Sequence, residues 1–154
     1  MKTAMIYSSS HHMNTKKVLE EIAAKLPVDL VPVAKAAETD LTGYSLLGFA
    51  SGIYKADFAP RLTEFMREYR FGKDQKAFLI HTSGVLNKNY GSGEKKLLEE
   101  KGVKVAGTYS CKGFDTFGPF KYIGGISKGH PNRKELDGAV RFMEKLLSIH
   151  EDTD

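Results

Sequence analysis

The sequence predicts a doubly wound α/β fold, in which helices cover both faces of a five-stranded parallel sheet. Short and nearly continuous apolar runs indicate strands that are buried on both faces. Segments with apolar residues at helical spacing alternate with these runs, and that alternation requires parallel strands joined by crossovers. With 154 residues and no linker or repeat, the chain is expected to form a single domain over residues 1–154.

The first strand and the first helix frame the most informative loop of the sequence. The apolar run 4–7 predicts the strand, and apolar positions at helical spacing predict a helix over 14–25. Asn14 is a suitable N-cap for this helix, and Pro27 ends it. The loop between these two elements carries hydroxyl groups and lacks acidic residues.

The remaining elements follow by the same reasoning. Pro32 places the second strand at an edge of the sheet, and Gly102 is a suitable residue just after a helix end. We predict strands over 28–34, 46–50, 76–81 and 103–111, and helices over 58–69, 94–101 and 133–149.

Composition excludes several classes of protein. The chain has 23 Lys and Arg against 19 Asp and Glu, a net charge of +4, which is too mild for a nucleic-acid surface. No apolar stretch approaches the roughly 20 residues that span a bilayer. The single cysteine, Cys111, excludes an internal disulfide, and the absence of a leader favours the cytoplasm. Basic residues are concentrated only over 112–134, where the single acidic residue is Asp115 and the basic residues are Lys112, Lys121, Lys128, Arg133 and Lys134.

The first loop has the character of an anion site. Ser8, Ser10 and Thr15 offer hydroxyl groups, and the N–H groups of residues 11–15 lie at a helix N-terminus, which carries partial positive charge. The loop contains none of the glycines of a dinucleotide fingerprint, and the chain has no P-loop lysine motif, no receiver-type acidic pair and no nucleophile elbow. The residues alone leave two interpretations of this loop: a phosphate site made of neutral donors, or a polar turn that caps the helix.

At this point the sequence resembles the flavodoxin family. Residues 6–18 resemble its FMN-phosphate loop, and residues 113–116 resemble its later loop. The resemblance implies FMN as cofactor and the strand order 2-1-3-4-5. There are two departures: Met13 stands where the family commonly has glycine, and flavodoxins are usually strongly acidic whereas this chain is basic.

The resemblance also implies which residues bind the cofactor. Gly52 lets the backbone approach the flavin ring, and Tyr54 is expected to stack on it. Aromatic residues of the long loop, Phe114, Phe117, Phe120 and Tyr122, form either a second wall or a satellite hydrophobic cluster. The full predicted set is Ser8, Ser10, His11, His12, Met13, Asn14, Thr15, Ser51, Gly52, Ile53, Tyr54, Thr82, Ser83, Gly84, Tyr90, Gly113, Phe114 and Asp115.

The resemblance leaves three functions open. The first is an FMN-dependent carrier of one or two electrons between redox partners, with a basic rim that suits a partner with an acidic docking face. The second is an NAD(P)H-dependent FMN or quinone reductase, and the third an interaction module that has lost FMN. No catalytic residue or metal site is predicted, because Cys111 lacks a base and the histidines are scattered. The chain is expected to be a monomer or a homodimer.

Overall fold

The computed structural model describes residues 2–9, 13–116 and 118–151. Five strands pair in parallel in the order β2-β1-β3-β5-β6, and a short strand, β4, pairs antiparallel with β3. Counted without β4, this is the predicted order 2-1-3-4-5, and the predicted α/β fold class is confirmed. The strands are β1 (Thr3–Ser8), β2 (Val28–Pro32), β3 (Leu46–Tyr54), β4 (Asp57–Phe58), β5 (Lys76–Ser83) and β6 (Val105–Lys112).

Helices cover both faces of the sheet. The helices are α1 (Asn14–Lys25), α2 (Val33–Ala36), α3 (Pro60–Glu68), α4 (Ser92–Glu100) and α5 (Arg133–Glu151), with a 3₁₀ helix over Gly118–Ile123. On one face, Ile22 of α1 and Met143 of α5 share a buried apolar cluster. On the other face, Leu62 of α3 and Leu98 of α4 belong to a second cluster. The sheet is therefore a buried middle layer, as its apolar strands predict.

The central strands pack without spare space. Phe78 on β5 is fully buried, and its ring lies beside Gly48 of the neighbouring strand β3. A Cβ added at Gly48 would lie 2.3 Å from that ring, so only glycine fits there. The sheet is consequently a rigid platform for the loops at its carboxyl end.

The segment 51–58 differs from its prediction. The third strand was expected to end at residue 50 and a helix to begin at residue 58, but β3 continues to Tyr54 and Phe58 lies in β4. A tight turn connects the two strands, with φ of 50° at Lys55 and 74° at Ala56. Neither residue is a usual choice for positive φ, so the sequence carries no hairpin signal here.

The start of α1 also differs from its prediction. Asn14 is the first helical residue and not the N-cap, because Met13 occupies that position and makes no side-chain capping bond. Met13 lies in the left-handed region, with φ 56° and ψ 31°. The predicted bounds of the helix, 14–25, are confirmed.

Pro32 ends β2, which is an edge strand as predicted. The second strand was predicted to reach residue 34, but Val33 already begins α2. Within the described ranges, none of the helices has the length and apolar character needed to cross a bilayer.

Candidate functional site

A cleft lies at the carboxyl ends of β1, β3, β5 and β6. Its volume, counted with the space open to solvent, is about 380 Å³. Its described lining residues are Asn14, Thr15, Gly52, Ile53, Tyr54, Thr82, Ser83, Gly84, Gly113, Phe114 and Asp115. All of them belong to the set predicted from the sequence.

The N-terminus of α1 presents free donors at one end of the cleft. Among the described residues, no partner is found for the N–H groups of Asn14 and Thr15. The next N–H group, that of Lys16, donates to Ser9 Oγ at 3.1 Å. Unpaired N–H groups in the first turn of a 12-residue helix carry partial positive charge and favour an anion.

Two hydroxyl groups lie beside these donors. Thr15 Oγ1 and Thr82 Oγ1 are 2.9 Å apart, and both residues are buried. The two groups share one hydrogen bond, so one of the two hydroxyl hydrogens remains available for a further acceptor. This pair joins α1 to β5 at the base of the cleft.

A side chain that was expected to cap α1 instead connects two walls of the cleft. Asn14 Nδ2 donates to the carbonyl oxygen of Phe114 at 2.7 Å, and Asn14 Oδ1 is buried without a hydrogen-bond partner among the described residues. The helix approaches so closely that a Cβ at Gly113 would lie 2.5 Å from Asn14 Nδ2. Asn14 lines the cleft, and an unpartnered buried acceptor beside a cleft is a candidate for a contact with a ligand N–H or hydroxyl group.

The segment 113–115 forms the far wall. Asp115 and Ile126 exchange both backbone hydrogen bonds, at 3.0 and 2.8 Å, and Phe114 N–H donates to the carbonyl of His130. Gly84 fits tightly against this wall, since a Cβ there would lie 2.7 Å from Asp115 Cβ. The wall is therefore held by backbone pairing as well as by side chains.

The hairpin β3–β4 forms the near wall. Tyr54 lies over Gly52, with ring atoms 3.7 Å from the position that a Cβ of Gly52 would take. Ser51 Oγ donates to the carbonyl of Gly52 at 2.6 Å and accepts the N–H of Ala59 at 2.9 Å. Ser51 is fully buried and holds the base of the hairpin.

A buried carboxylate holds the other strand of this hairpin. Glu94, in the first turn of α4, accepts the N–H of Phe58 at 2.9 Å and is only 2% exposed. Nearby, His81 packs against Phe58 and is also buried. Burial lowers the pKa of His81 to about 4, so this ring is neutral at physiological pH. His81 alternates with Thr82 along β5 and faces away from the cleft.

The structure does not bring every predicted residue to the cleft. Ser8, Met13, Ser51 and Tyr90 are described but do not line it. Ser10, His11 and His12 lie outside the described residues, as does Phe117. Phe114 lines the cleft, whereas Phe120 and Tyr122 do not. Tyr122 is 80% exposed.

Sequence reasoning missed two residues that shape the site. Ser9 lies between Ser8 and Ser10, which were predicted to bind the cofactor, but Ser9 itself was not predicted to take part. Its Oγ accepts a hydrogen bond from the N–H of Lys16 in α1. Glu94 carries no local signal, because its partner Phe58 lies 36 positions earlier in the chain.

A comparison with known families decides where this fold belongs. The family model described as a flavodoxin domain matches residues 5–113, from β1 to the far wall of the cleft. The chain belongs to the flavodoxin family. The matched region contains every described lining residue of the cleft except Phe114 and Asp115.

Other similarities agree with the family. The uncharacterized protein MJ0298 of Methanocaldococcus jannaschii is 33% identical over 149 residues, covering 96% of this chain and 99% of that protein. A flavodoxin from the domain Archaea superposes with a TM-score of 0.65 at 16% identity, covering 92% of each chain. A flavoprotein in complex with FMN from Lactobacillus acidophilus superposes with a TM-score of 0.55 at 17% identity, covering 71% of this chain and 93% of that one. The two structural similarities concern the fold.

Proposed function

We propose that this member of the flavodoxin family binds FMN in the cleft and carries electrons between redox partner proteins. The observation that carries the proposal is the set of neutral donors where β1 leads into α1. The N–H groups of Asn14 and Thr15, for which the described residues offer no partner, suit the dianionic phosphate ester of FMN together with the Thr15–Thr82 hydroxyl pair. Lys16 and Lys17 follow in the same helix turn and add positive potential.

The rest of the cleft suits the uncharged part of FMN. Gly52 and Gly84 keep the backbone accessible along two strand ends, and Asn14 Oδ1 offers an acceptor for a ribityl hydroxyl group. Tyr54 and Phe114 supply aromatic surface on opposite walls. When bound, the isoalloxazine ring supplies the capacity to take up one or two electrons. The protein holds the ring, excludes water and sets its surroundings.

The chemistry of the lining favours a carrier over a catalyst. The described lining residues include one carboxylate, Asp115, and no histidine, lysine or cysteine. A reductase acting on a quinone needs a group that delivers protons to its substrate. The neutral His81 is buried and faces away from the cleft, which leaves it poorly placed for that role.

An FMN titration tests this proposal. Purified protein is expected to quench FMN fluorescence with a stoichiometry of one, and Thr15→Val is expected to weaken binding about tenfold or more, since a hydrogen bond to a charged group is worth roughly 1.5–3 kcal/mol. Thr108→Val is the matched control, because Thr108 is exposed on β6 and does not line the cleft. Failure of the wild-type protein to bind FMN, or equal losses in both variants, contradicts the proposal.

A second measurement separates carrier from reductase. The FMN-loaded protein is expected to oxidise NADPH no faster than free FMN does, while it exchanges electrons with a small redox protein. Rapid steady-state NADPH oxidation with a quinone acceptor would instead assign the protein to the reductases.

A further inference from the structure

A second groove lies beside the edge strand β6, outside the cleft. It encloses about 770 Å³, counted with the space open to solvent as for the cleft, and runs between the end of β6 and the first turns of α5. Lys112, which ends β6, lines this groove and directly precedes Gly113 of the cleft. Leu86, 46% exposed, lies at its rim in the loop that follows β5. The groove and the cleft are therefore neighbours on one surface.

Three cationic side chains line the groove without a counter-ion. Lys112, Lys134 and Arg141 are exposed, and none of them forms an ion pair with a described carboxylate. The adjacent Arg133, in contrast, pairs with both Glu21 and Asp137. Unpaired like charges along one groove repel each other and attract an anionic partner.

The groove contains one described carboxylate, and its oxygens are already used. Glu135 accepts the N–H groups of Asn132 and Lys112, each at 2.9 Å, and lies against Nδ1 of His130. With Asn132 it forms a capping box for α5, since Asn132 Oδ1 accepts the N–H of Glu135. This carboxylate therefore neutralises the helix N-terminus and leaves the three cations unpaired.

The floor of the groove is built in advance of any partner. Tyr109 donates its hydroxyl hydrogen to the carbonyl of Glu135 at 2.6 Å and stacks on Phe142. Gly138 makes room for this hydroxyl group, since a Cβ there would lie 2.7 Å away from it. A preformed floor loses little conformational entropy on binding.

The spacing of the cations indicates the type of ligand. Lys134 and Arg141 are seven positions apart on α5, which is two helical turns or about 10 Å along the axis. Carboxylates distributed along a protein segment match this spacing more closely than one phosphate group, which both flexible side chains would have to bend to reach. Val85 and Leu86 at the rim, 55% and 46% exposed, add apolar contact of the kind found in protein interfaces.

We infer that this groove docks an acidic surface segment of a redox partner protein and places the partner beside the cleft. The inference rests on the proposed electron-carrier function and specifies its docking site. It assigns the main electrostatic contact to Lys112, Lys134 and Arg141, on β6 and α5. This docking site does not include Lys121 and Lys128 of the long loop, which belong to the basic segment 112–134 of the sequence.

Charge reversal in the groove tests the inference. Lys134→Glu with Arg141→Glu leaves the cleft lining intact, and Lys73→Glu with Lys104→Glu makes the same change in net charge at the amino-terminal end of the sheet. Two probes are used at about 20 mM salt, where charges are weakly screened. One is the rate of electron transfer from a reduced acidic [2Fe–2S] ferredoxin to the FMN-loaded protein. The other is NMR-detected binding of a peptide of alternating Glu and Ala to the FMN-free protein.

We expect the groove variant to lower both the electron-transfer rate and the peptide affinity about tenfold. The control variant is expected to lower each of them less than threefold. The FMN affinity is expected to stay the same in both variants. Peptide shifts are expected at β6 and α5. Equal effects of the two variants, a larger effect of Lys121→Glu with Lys128→Glu, or a changed FMN affinity overturn the inference. If NADPH displaces the bound peptide at a lower concentration than free peptide does, the groove is a dinucleotide site and the inference is also overturned. If FMN fails to bind, the proposed function fails, while the peptide measurement still decides the groove.

Discussion

Replacing Met13 by glycine is expected to stabilise the protein. Met13 is the N-cap of α1 and has φ 56° and ψ 31°, a conformation in which the Cβ of an L residue approaches the following carbonyl oxygen. Flavodoxins commonly have glycine at this position. Met13 thus holds a side chain in a backbone conformation that glycine adopts without this steric cost.

The size of the effect follows from two opposing terms. Relief of the left-handed conformation contributes roughly 1–2 kcal/mol. The greater freedom of glycine in the unfolded chain removes roughly 0.4–1 kcal/mol of this gain. Because the Met13 side chain is 42% exposed, its removal costs little packing. The two ranges leave a net gain of about 0–1.6 kcal/mol, centred near 0.8 kcal/mol, and this central value raises Tm by about 2–3 °C for a chain of this length.

Urea and thermal unfolding of the FMN-free protein measure this gain. Met13→Ala is the matched control, since it removes the same side-chain atoms beyond Cβ and keeps the unfavourable Cβ. The glycine variant is expected to be more stable than both the wild type and the alanine variant. Its FMN affinity is expected to stay within about threefold of the wild type, because the backbone already has the required shape. A glycine variant no more stable than the alanine variant would refute the strain at Met13.

Three further outcomes follow from the cleft and its surroundings. Gly113→Ala places a Cβ against Asn14, and we expect it to cost about 1–3 kcal/mol of unfolding free energy and to weaken FMN binding in a fluorescence titration. Thr82→Val removes one hydroxyl group of the pair with Thr15 and is expected to lower the free energy of unfolding, measured in urea, by about 1 kcal/mol. A clearly smaller loss would show that the two hydroxyl groups are not paired in solution. Burial keeps His81 neutral in the folded protein, so the unfolded chain takes up a proton near pH 6.5 and the folded chain only near pH 4. Stability is therefore expected to fall by up to about 3 kcal/mol as pH drops through that window, and His81→Leu should remove this part of the pH dependence in unfolding titrations.

The sequence predicted the fold well because the fold depends on local periodicity. The bounds of α1 came from apolar spacing, and Pro32 marked the edge strand because a missing N–H group is tolerated there. The hairpin at 51–58 was missed for the converse reason. Lys55 and Ala56 adopt positive φ without the glycine or asparagine that normally signals such a turn.

The site was predictable at the level of loops but not of individual contacts. Topology brings the carboxyl ends of neighbouring strands together, and Gly52 and Thr82 line one cleft as that placement predicts. Gly113, which lines the same cleft, was expected only from the resemblance to the family. Asn14 was predicted as a cap because caps are recognised from nearby residues. Its actual partner, Phe114, lies 100 positions away, and only the tertiary structure reveals that contact.

The Asn14–Phe114 contact also bears on when the protein becomes able to capture a ligand. A nascent chain that has emerged only as far as β5 possesses the first loop and its donors, yet it lacks the segment against which Asn14 closes. Under the proposed function, cofactor uptake is therefore expected only after β6 and the segment that follows it have joined the sheet. A ligand present at a hundredfold excess over its dissociation constant would stabilise the folded protein by about 2.7 kcal/mol. Because the ligand contacts both α1 and the segment after β6, this stabilisation would apply to the two segments together.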